Sequence, residues 1–273
     1  MEFGPYRLER LIGRGRVGEV WLATDARLKR RVAIKALAGR DSDSGERFAR
    51  EAMTALPNHP SIVTVHDVGR HEGTRYIVME YVDGPDLLQV MSFGAARIPS
   101  AARIAVQVAE ALLSAHHVGV VHGEISPRTI LVDHHLGVAK LTDFDLLKLA
   151  SSREEITPID SLVGNPLYLS PEQMRGEHAT KESDVFALGA TLYSLFTGAP
   201  PREGNGPQLF AQTRSRPVAA ADRRPDVPWP ISDALDQMLD PDPQRRMGAL
   251  EKLIDVARPF ASGFDTPAEG TLE

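Results

Sequence analysis

The feature that most restricts the fold is a change of pattern at Asp83-Gly84-Pro85. Before it, the runs Tyr6 to Ile12, Glu19 to Asp25, Arg31 to Leu37, Ile62 to Val68 and Tyr76 to Val82 carry β-branched and aromatic residues between Gly, Asp and Asn, and each reads as a strand. One helical stretch interrupts them, from about Ser44 to Leu56, where Phe48, Ala52 and Ala55 recur at helical spacing until Pro57-Asn58-His59-Pro60 stops it. After the change the period becomes helical. Ile104, Val108, Ala111, Leu112 and Ala115 line one face between Pro99 and Val118. Two short strands, Ile130 to Val132 and Ala139 to Leu141, flank a turn at His134-His135-Leu136-Gly137, and helices resume at Ser183. The longest uncharged run, Val185 to Pro201, falls short of membrane-spanning length and ends in Gly and Pro, which predicts a buried central helix. The prolines between Pro200 and Pro230 predict a surface excursion. A β-rich part followed by an α-rich part is an α+β arrangement of two lobes, expected over 1–82 and 83–259, with a frayed tail over 260–273.

Composition removes whole classes of function. With 273 residues and 42% hydrophobic content, the chain can bury a core without a metal or disulfide staple. It has no cysteine, which excludes disulfides, zinc knuckles, iron–sulfur sites and thiol nucleophiles. A reducing, cytoplasmic setting fits that composition. The net charge of -6 argues against a nucleic-acid footprint and against binding to an anionic membrane surface. The first residues have neither the apolar core of an export signal nor an Arg-rich amphipathic pattern, so no leader and no membrane segment are expected in this chain.

Two segments carry phosphate chemistry. In Gly13 to Val20, GRGRVGEV, three glycines lie between two expected strands. Leading into a helix, such a triplet suggests a dinucleotide fold; joining two strands, it forms a hairpin whose amides can lie over phosphates. A plain hairpin stays open on this segment alone. The second is Val32-Ala33-Ile34-Lys35, which puts an ammonium in an apolar strand, where an unpaired charge is costly. Glu51, on the following helix, is its natural partner, while a lysine reaching solvent from an edge strand is the alternative. The pairs His116-His117 and His134-His135 fall at a helix end and in a turn and read as solvated histidines.

Taken in order, the motifs resemble the protein kinase family, particularly the bacterial serine/threonine kinases of eukaryotic type. GRGRVGEV and VAIK are followed by Glu51, then YIVMEYVDG at the hinge position, HGEISPRTIL at the catalytic loop, and Thr142-Asp143-Phe144-Asp145 at the metal-binding position. VGNPLYLSPE, Asp184 and DPDPQRRM follow, with Arg246 able to pair with Glu172, and the likeness spans about residues 4 to 258. The resemblance implies a bilobal kinase fold, with a small antiparallel β lobe holding one main helix and a larger, mostly helical lobe. It also implies ATP and Mg2+ as ligands and a protein substrate or binding partner. In that likeness Val20, Ala33 and Leu131 sandwich the adenine, and backbone groups of Glu80 and Val82 bind its edge. Gly13, Gly15 and Gly18 close over the phosphates, Lys35 reaches them, and Asp143 and Thr129 face the metal.

The likeness breaks on the transfer side. The family's HRDxKxxN stands here as His122-Gly123-Glu124-Ile125-Ser126-Pro127-Arg128-Thr129. Glu124 keeps a carboxylate with an extra methylene, and a displacement of about 1 Å at a reacting centre can cost about a hundredfold. Ser126 removes a cation aimed at the transferring group, a loss of roughly a hundred- to a thousandfold; Arg128 is a partial substitute. Thr129 offers a hydroxyl where the family has an amide oxygen. Asn165 replaces a threonine and Asp145 a glycine, and Gly123 removes the arginine that clamps a phosphorylated loop. Ser151, Ser152, Thr157 and Ser161 therefore read as ordinary exposed hydroxyls. Three functions follow: an ATP-binding pseudokinase acting through partners, an active atypical serine/threonine kinase with Glu124 as base, and a scaffold that binds no nucleotide.

Overall fold

Alternating exposure along the first strands explains why the chain begins as a sheet. In the computed structural model, which describes residues 1–15, 18–37, 56–144 and 165–261, Tyr6 and Leu8 are buried while Arg7 and Glu9 face solvent. Strands β1 (Glu2–Phe3), β2 (Tyr6–Gly15), β3 (Gly18–Asp25), β4 (Arg30–Leu37), β5 (Val65–His71) and β6 (Thr74–Glu80) form one antiparallel sheet in the order β1-β2-β3-β4-β6-β5. The period of two divides β4 between the sheet's faces. Val32 and Ile34 join Tyr6, Leu8, Ala23, Tyr76 and Val78 in a small outer cluster, whereas Ala33 and Leu37 join the main core shared with the helical half. Lys35 therefore leaves the strand on the side of the helical half. The expected helix from Ser44 to Leu56, except Leu56 itself, and with it Glu51, lies outside the described residues. So do Asp145, the four hydroxyls of the following segment, and the tail from residue 262.

Two expected strands are displaced: the run Tyr76 to Val82 gives a strand over Thr74–Glu80, which leaves Val82 beyond its end. The run Ile62 to Val68 was expected to pair throughout, but the strand is Val65–His71. Ile62 instead bridges Leu141, and Val63 N–H donates to the Leu141 carbonyl at 2.8 Å, so this stretch ties the sheet to the helical half.

In the second half, α1 (Leu87–Met91) starts from an Asp86 capping box, and α2 (Ile98–His117) buries the face that its period announced. Strands β7 (Ile130–Val132) and β8 (Ala139–Leu141) have the expected bounds and pair antiparallel around their turn, with Ile130 opposite Leu141. A short helix that the sequence did not announce, α3 (Pro171–Met174), is capped by Ser170. Next, α4 (Lys181–Thr197) begins two residues earlier than expected, with Thr180 accepting from Ser183 N–H. It is buried on nearly every side, as its uncharged run implied, and ends at Gly198 with φ 81°.

The proline-rich stretch is mostly exposed, as a surface excursion should be, but it carries helices that the sequence did not announce. It contains α5 (Gly206–Gln212) and α6 (Ala220–Arg223), leads into α7 (Trp229–Met238), and buries Leu209, Ala220 and Val227. Pro207 and Pro230 sit in the first turns of α5 and α7, where a missing N–H costs no helical hydrogen bond. α8 (Ala249–Ala257) closes the domain against α2 and α7. The expected Glu172–Arg246 pair is present at 2.6 and 3.1 Å, fully buried, and the remaining donors of Arg246 reach the carbonyls of Asp240, Pro241 and Glu182. Among the described residues no helix is long and apolar enough to cross a membrane.

Candidate functional site

A cleft of about 500 Å3 opens between the sheet and the helical half. Every described residue that the sequence assigned to catalysis, nucleotide or metal lines it. Gly13 and Gly15 come from β2, Gly18 and Val20 from β3, Ala33 and Lys35 from β4, Glu80 from the end of β6, and Val82 from the connection that follows it. Glu124, Ser126, Arg128, Thr129, Leu131 and Asp143 come from the opposite wall. The register sets Val20 opposite Lys35 on neighbouring strands, with Ala33 two residues away on the same face. Apolar side chains and a cation thereby share one roof.

The three glycines are not equivalent. Gly18 has φ 152°, and a Cβ there would stand 1.9 Å from the Ala36 carbonyl oxygen, so only glycine fits. At Gly13 a Cβ would make ordinary contacts with Val20 at 3.6 and 3.7 Å, and at Gly15 it would meet one atom at 4.0 Å. The hairpin's closeness to β4 thus depends on Gly18.

Lys35 Nζ lies 2.7 Å from Asp143 Oδ1, across the cleft from strand to loop. Asp143 adopts φ 63°, a left-handed conformation unusual for a residue with a side chain. The residues beside it are fixed: Thr142 N–H donates to the Thr129 carbonyl at 2.9 Å, the Thr142 carbonyl is 3.0 Å from His122 Nε2, and Phe144 packs on the His122 ring at 4.5 Å.

The loop from His122 to Thr129 is held from beneath by α4. The buried carboxylate of Asp184 accepts His122 N–H at 2.7 Å and Gly123 N–H at 2.8 Å, and lies 3.0 Å from His116 Nε2. His116 is therefore buried and hydrogen-bonded, a correction to its reading as a solvated histidine; His117, His134 and His135 are exposed as expected. Gly123 has φ 83° and its carbonyl accepts from Gln173 Nε2 at 3.2 Å, so α3, which the sequence did not announce, helps to seat the loop. Thr129 is buried, with its hydroxyl accepting Ser126 N–H and donating to the Ser126 carbonyl, both at 3.0 Å. Arg128 is exposed at the cleft, with no ion pair among the described residues.

Met79, Asp86 and Tyr81 are among the lining residues that escaped sequence reasoning. Met79 forms a buried wall, with Thr142 Oγ1 3.9 Å from its sulfur. Asp86 caps α1 and bridges Leu131, and its place before an apolar run was a readable capping signal. Tyr81 donates its hydroxyl to Asp83 at 3.2 Å. That bond holds the exposed Asp83 carboxyl below its ordinary range, with help from His135.

These side chains suit a nucleotide better than they suit a divalent metal. The apolar roof and floor fit a planar base, and Lys35 fits a phosphate. For Mg2+, which prefers carboxylate, phosphate and water oxygens, the two positions expected to face the metal offer the Lys35-bound carboxylate of Asp143 and the turned-in hydroxyl of Thr129. No group of three or more His, Asp or Glu residues able to hold a metal occurs among the described residues.

Comparison with known proteins agrees with the geometry. Residues 6–255 match the family model described as protein kinase domain. The chain is 37% identical over 269 residues to serine/threonine-protein kinase PrkC of Bacillus subtilis, covering 96% of this chain and 41% of that protein. It is 36% identical over 266 residues to serine/threonine-protein kinase PknB of Mycolicibacterium smegmatis, covering 93% and 42%. The chain thus spans about two fifths of the length of these curated relatives. The crystal structure of Rad53 1-466 in complex with AMP-PNP matches with a TM-score of 0.77 at 25% identity, over 94% of this chain and 66% of that one. With nearly the whole length of the two-lobed fold accounted for, the chain belongs to the protein kinase family, among the eukaryotic-type serine/threonine kinases of bacteria.

Proposed function

We propose that this kinase domain binds ATP in the cleft, transfers phosphate very slowly or not at all, and acts through a protein partner. In this reading Val20, Ala33 and Leu131 hold the adenine, the backbone of Glu80 and Val82 meets its edge, and Lys35 meets the phosphates, with the lobes divided between residues 82 and 83. One observation carries the proposal: the loop from His122 to Thr129 keeps its anchor on Asp184 while its charge-stabilising positions hold Ser126 and an inward-turned Thr129. Phosphoryl transfer depends on positioning and on charge stabilisation. The first is provided for here and the second is depleted.

A second reading, an active serine/threonine kinase, draws support from Glu124 lining the cleft and from the relatives' names as serine/threonine-protein kinases. There Glu124 accepts the proton of a substrate hydroxyl and Arg128 offsets charge on the phosphoryl group. Transfer from labelled ATP to the protein itself and to a generic basic substrate, followed over hours, separates the two. The expected result is background transfer in the native chain, Glu124→Ala and Lys35→Ala alike, with ATP still binding the native chain. Transfer above background that both substitutions abolish replaces the proposal with the active reading.

A further inference from the structure

Three observations in the cleft concern charge. The Thr129 hydroxyl spends its proton and one lone pair on the Ser126 backbone, inside a turn where the residue is buried. Asp143 gives an oxygen to Lys35 at 2.7 Å, so these two groups together carry no net charge toward a ligand. Arg128, two residues after Ser126, is exposed at the cleft and has no carboxylate partner among the described residues. The other cations among the described lining residues, Lys35 and Arg14, are engaged, Arg14 with Glu19 at 3.0 Å.

Mg2+ sheds its water reluctantly and is usually held by one or two carboxylates together with substrate phosphates. At the described positions expected to face the metal, one carboxylate is shared with a lysine and the other donor faces its own turn. A triphosphate entering this cleft still needs positive charge. We propose that Arg128 provides it: this domain binds nucleoside triphosphate without requiring a divalent metal, and Arg128 is a phosphate-binding residue that meets the charge a metal would otherwise neutralise. This rests on the nucleotide-binding reading above. Arginine suits the task because its planar fork stays charged and matches phosphate oxygens in pairs.

The test is calorimetric titration of the native chain with ATP, in excess Mg2+ and in EDTA, beside adenosine as a ligand without phosphates. The two ATP affinities are expected to agree within about threefold, since the protein gives the metal little. Arg128→Ala is expected to weaken ATP in EDTA by about tenfold or more, the worth of a charge-assisted hydrogen bond, and to leave adenosine unchanged. Thr129→Asn, which restores an amide oxygen, is expected to make ATP binding depend on Mg2+. ATP binding that needs Mg2+ in the native chain overturns the inference, and so does an Arg128→Ala chain that binds ATP as the native one does. Loss of adenosine and ATP together in Arg128→Ala reassigns the residue to a structural role and also overturns it. A native chain that binds ATP in neither condition removes the nucleotide-binding reading, and this inference with it.

Discussion

Gly123 and Asp143 both hold left-handed backbone, at φ 83° and 63°, and only one of them is a glycine. At Gly123 the space is open, since an added Cβ would meet only Ala179 at 3.7 Å, so the backbone rather than crowding opposes a side chain. Gly123→Arg, which restores the family's charge, is therefore expected to lower stability by about 1–2 kcal/mol, the cost of a left-handed L-residue. Urea denaturation of the two proteins measures it, and equal midpoints would show that the loop absorbs the side chain without strain. The same residue explains part of what the sequence displayed. Departures at Gly123, Glu124, Ser126 and Thr129 were visible in one contiguous motif. The burial of His116 was not, because its partner Asp184 lies 68 residues away and adjacent histidines at a helix end carry no sign of it. The inward turn of the Thr129 hydroxyl was equally hidden, since one threonine can face a ligand or its own backbone.

At the scale of elements, α3 is fastened by Glu172 to Arg246, beyond α7, and also receives the Ser183 hydroxyl at 2.8 Å. Burial by itself would push the Glu172 carboxyl up; the Arg246 hydrogen bonds and charge outweigh burial and hold it below the ordinary carboxylate range. Its stabilising effect is therefore full above the unfolded value, about pH 4.3, and fades as pH falls through the lower folded value. Glu172→Gln is expected to cost about 3–5 kcal/mol at neutral pH, because Arg246 is left buried without a counter-charge. It should also flatten the loss of stability in acid, and denaturation midpoints across that range would refute the pairing if both proteins fell in parallel. Elements differed in how plainly the sequence announced them. β2, β3, β4, β7 and β8 followed alternation or short apolar runs between turn residues, and α2 and α4 were long enough to display their pattern. α3, with four residues, is shorter than the repeat that would reveal it. The prolines after Pro200 signalled surface although two of them open helices, and Ile62 was counted into a strand although it pairs with Leu141.

For the whole molecule, the connection between the halves is laid against β7 rather than hung free. His134 N–H donates to the Asp83 carbonyl at 3.1 Å and Val132 N–H to the Pro85 carbonyl at 2.9 Å, with Gly84 between them. A Cβ on Gly84 would stand 1.8 Å from the Val132 carbonyl oxygen. Behind this strap, Lys140 of β8 pairs with Glu80 of β6 at 2.8 Å, joining the two sheets through a largely buried ion pair. Gly84→Ala is expected to lift the strap and disturb Val82 and Leu131 together, weakening ATP binding by about tenfold and lowering stability by about 1–3 kcal/mol, the range for overpacking. Unchanged affinity and melting temperature would mean that the strap bears no part of the cleft's shape. The anchor beneath the loop has a different consequence. Asp184 and His116 belong to long helices, whereas Glu124, Ser126 and Thr129 belong to the loop they support, so outline and reactivity are inherited through separate stretches of the gene. Mutation can silence such a loop, or restore it, one side chain at a time while the path of the backbone passes unchanged from parent to descendant.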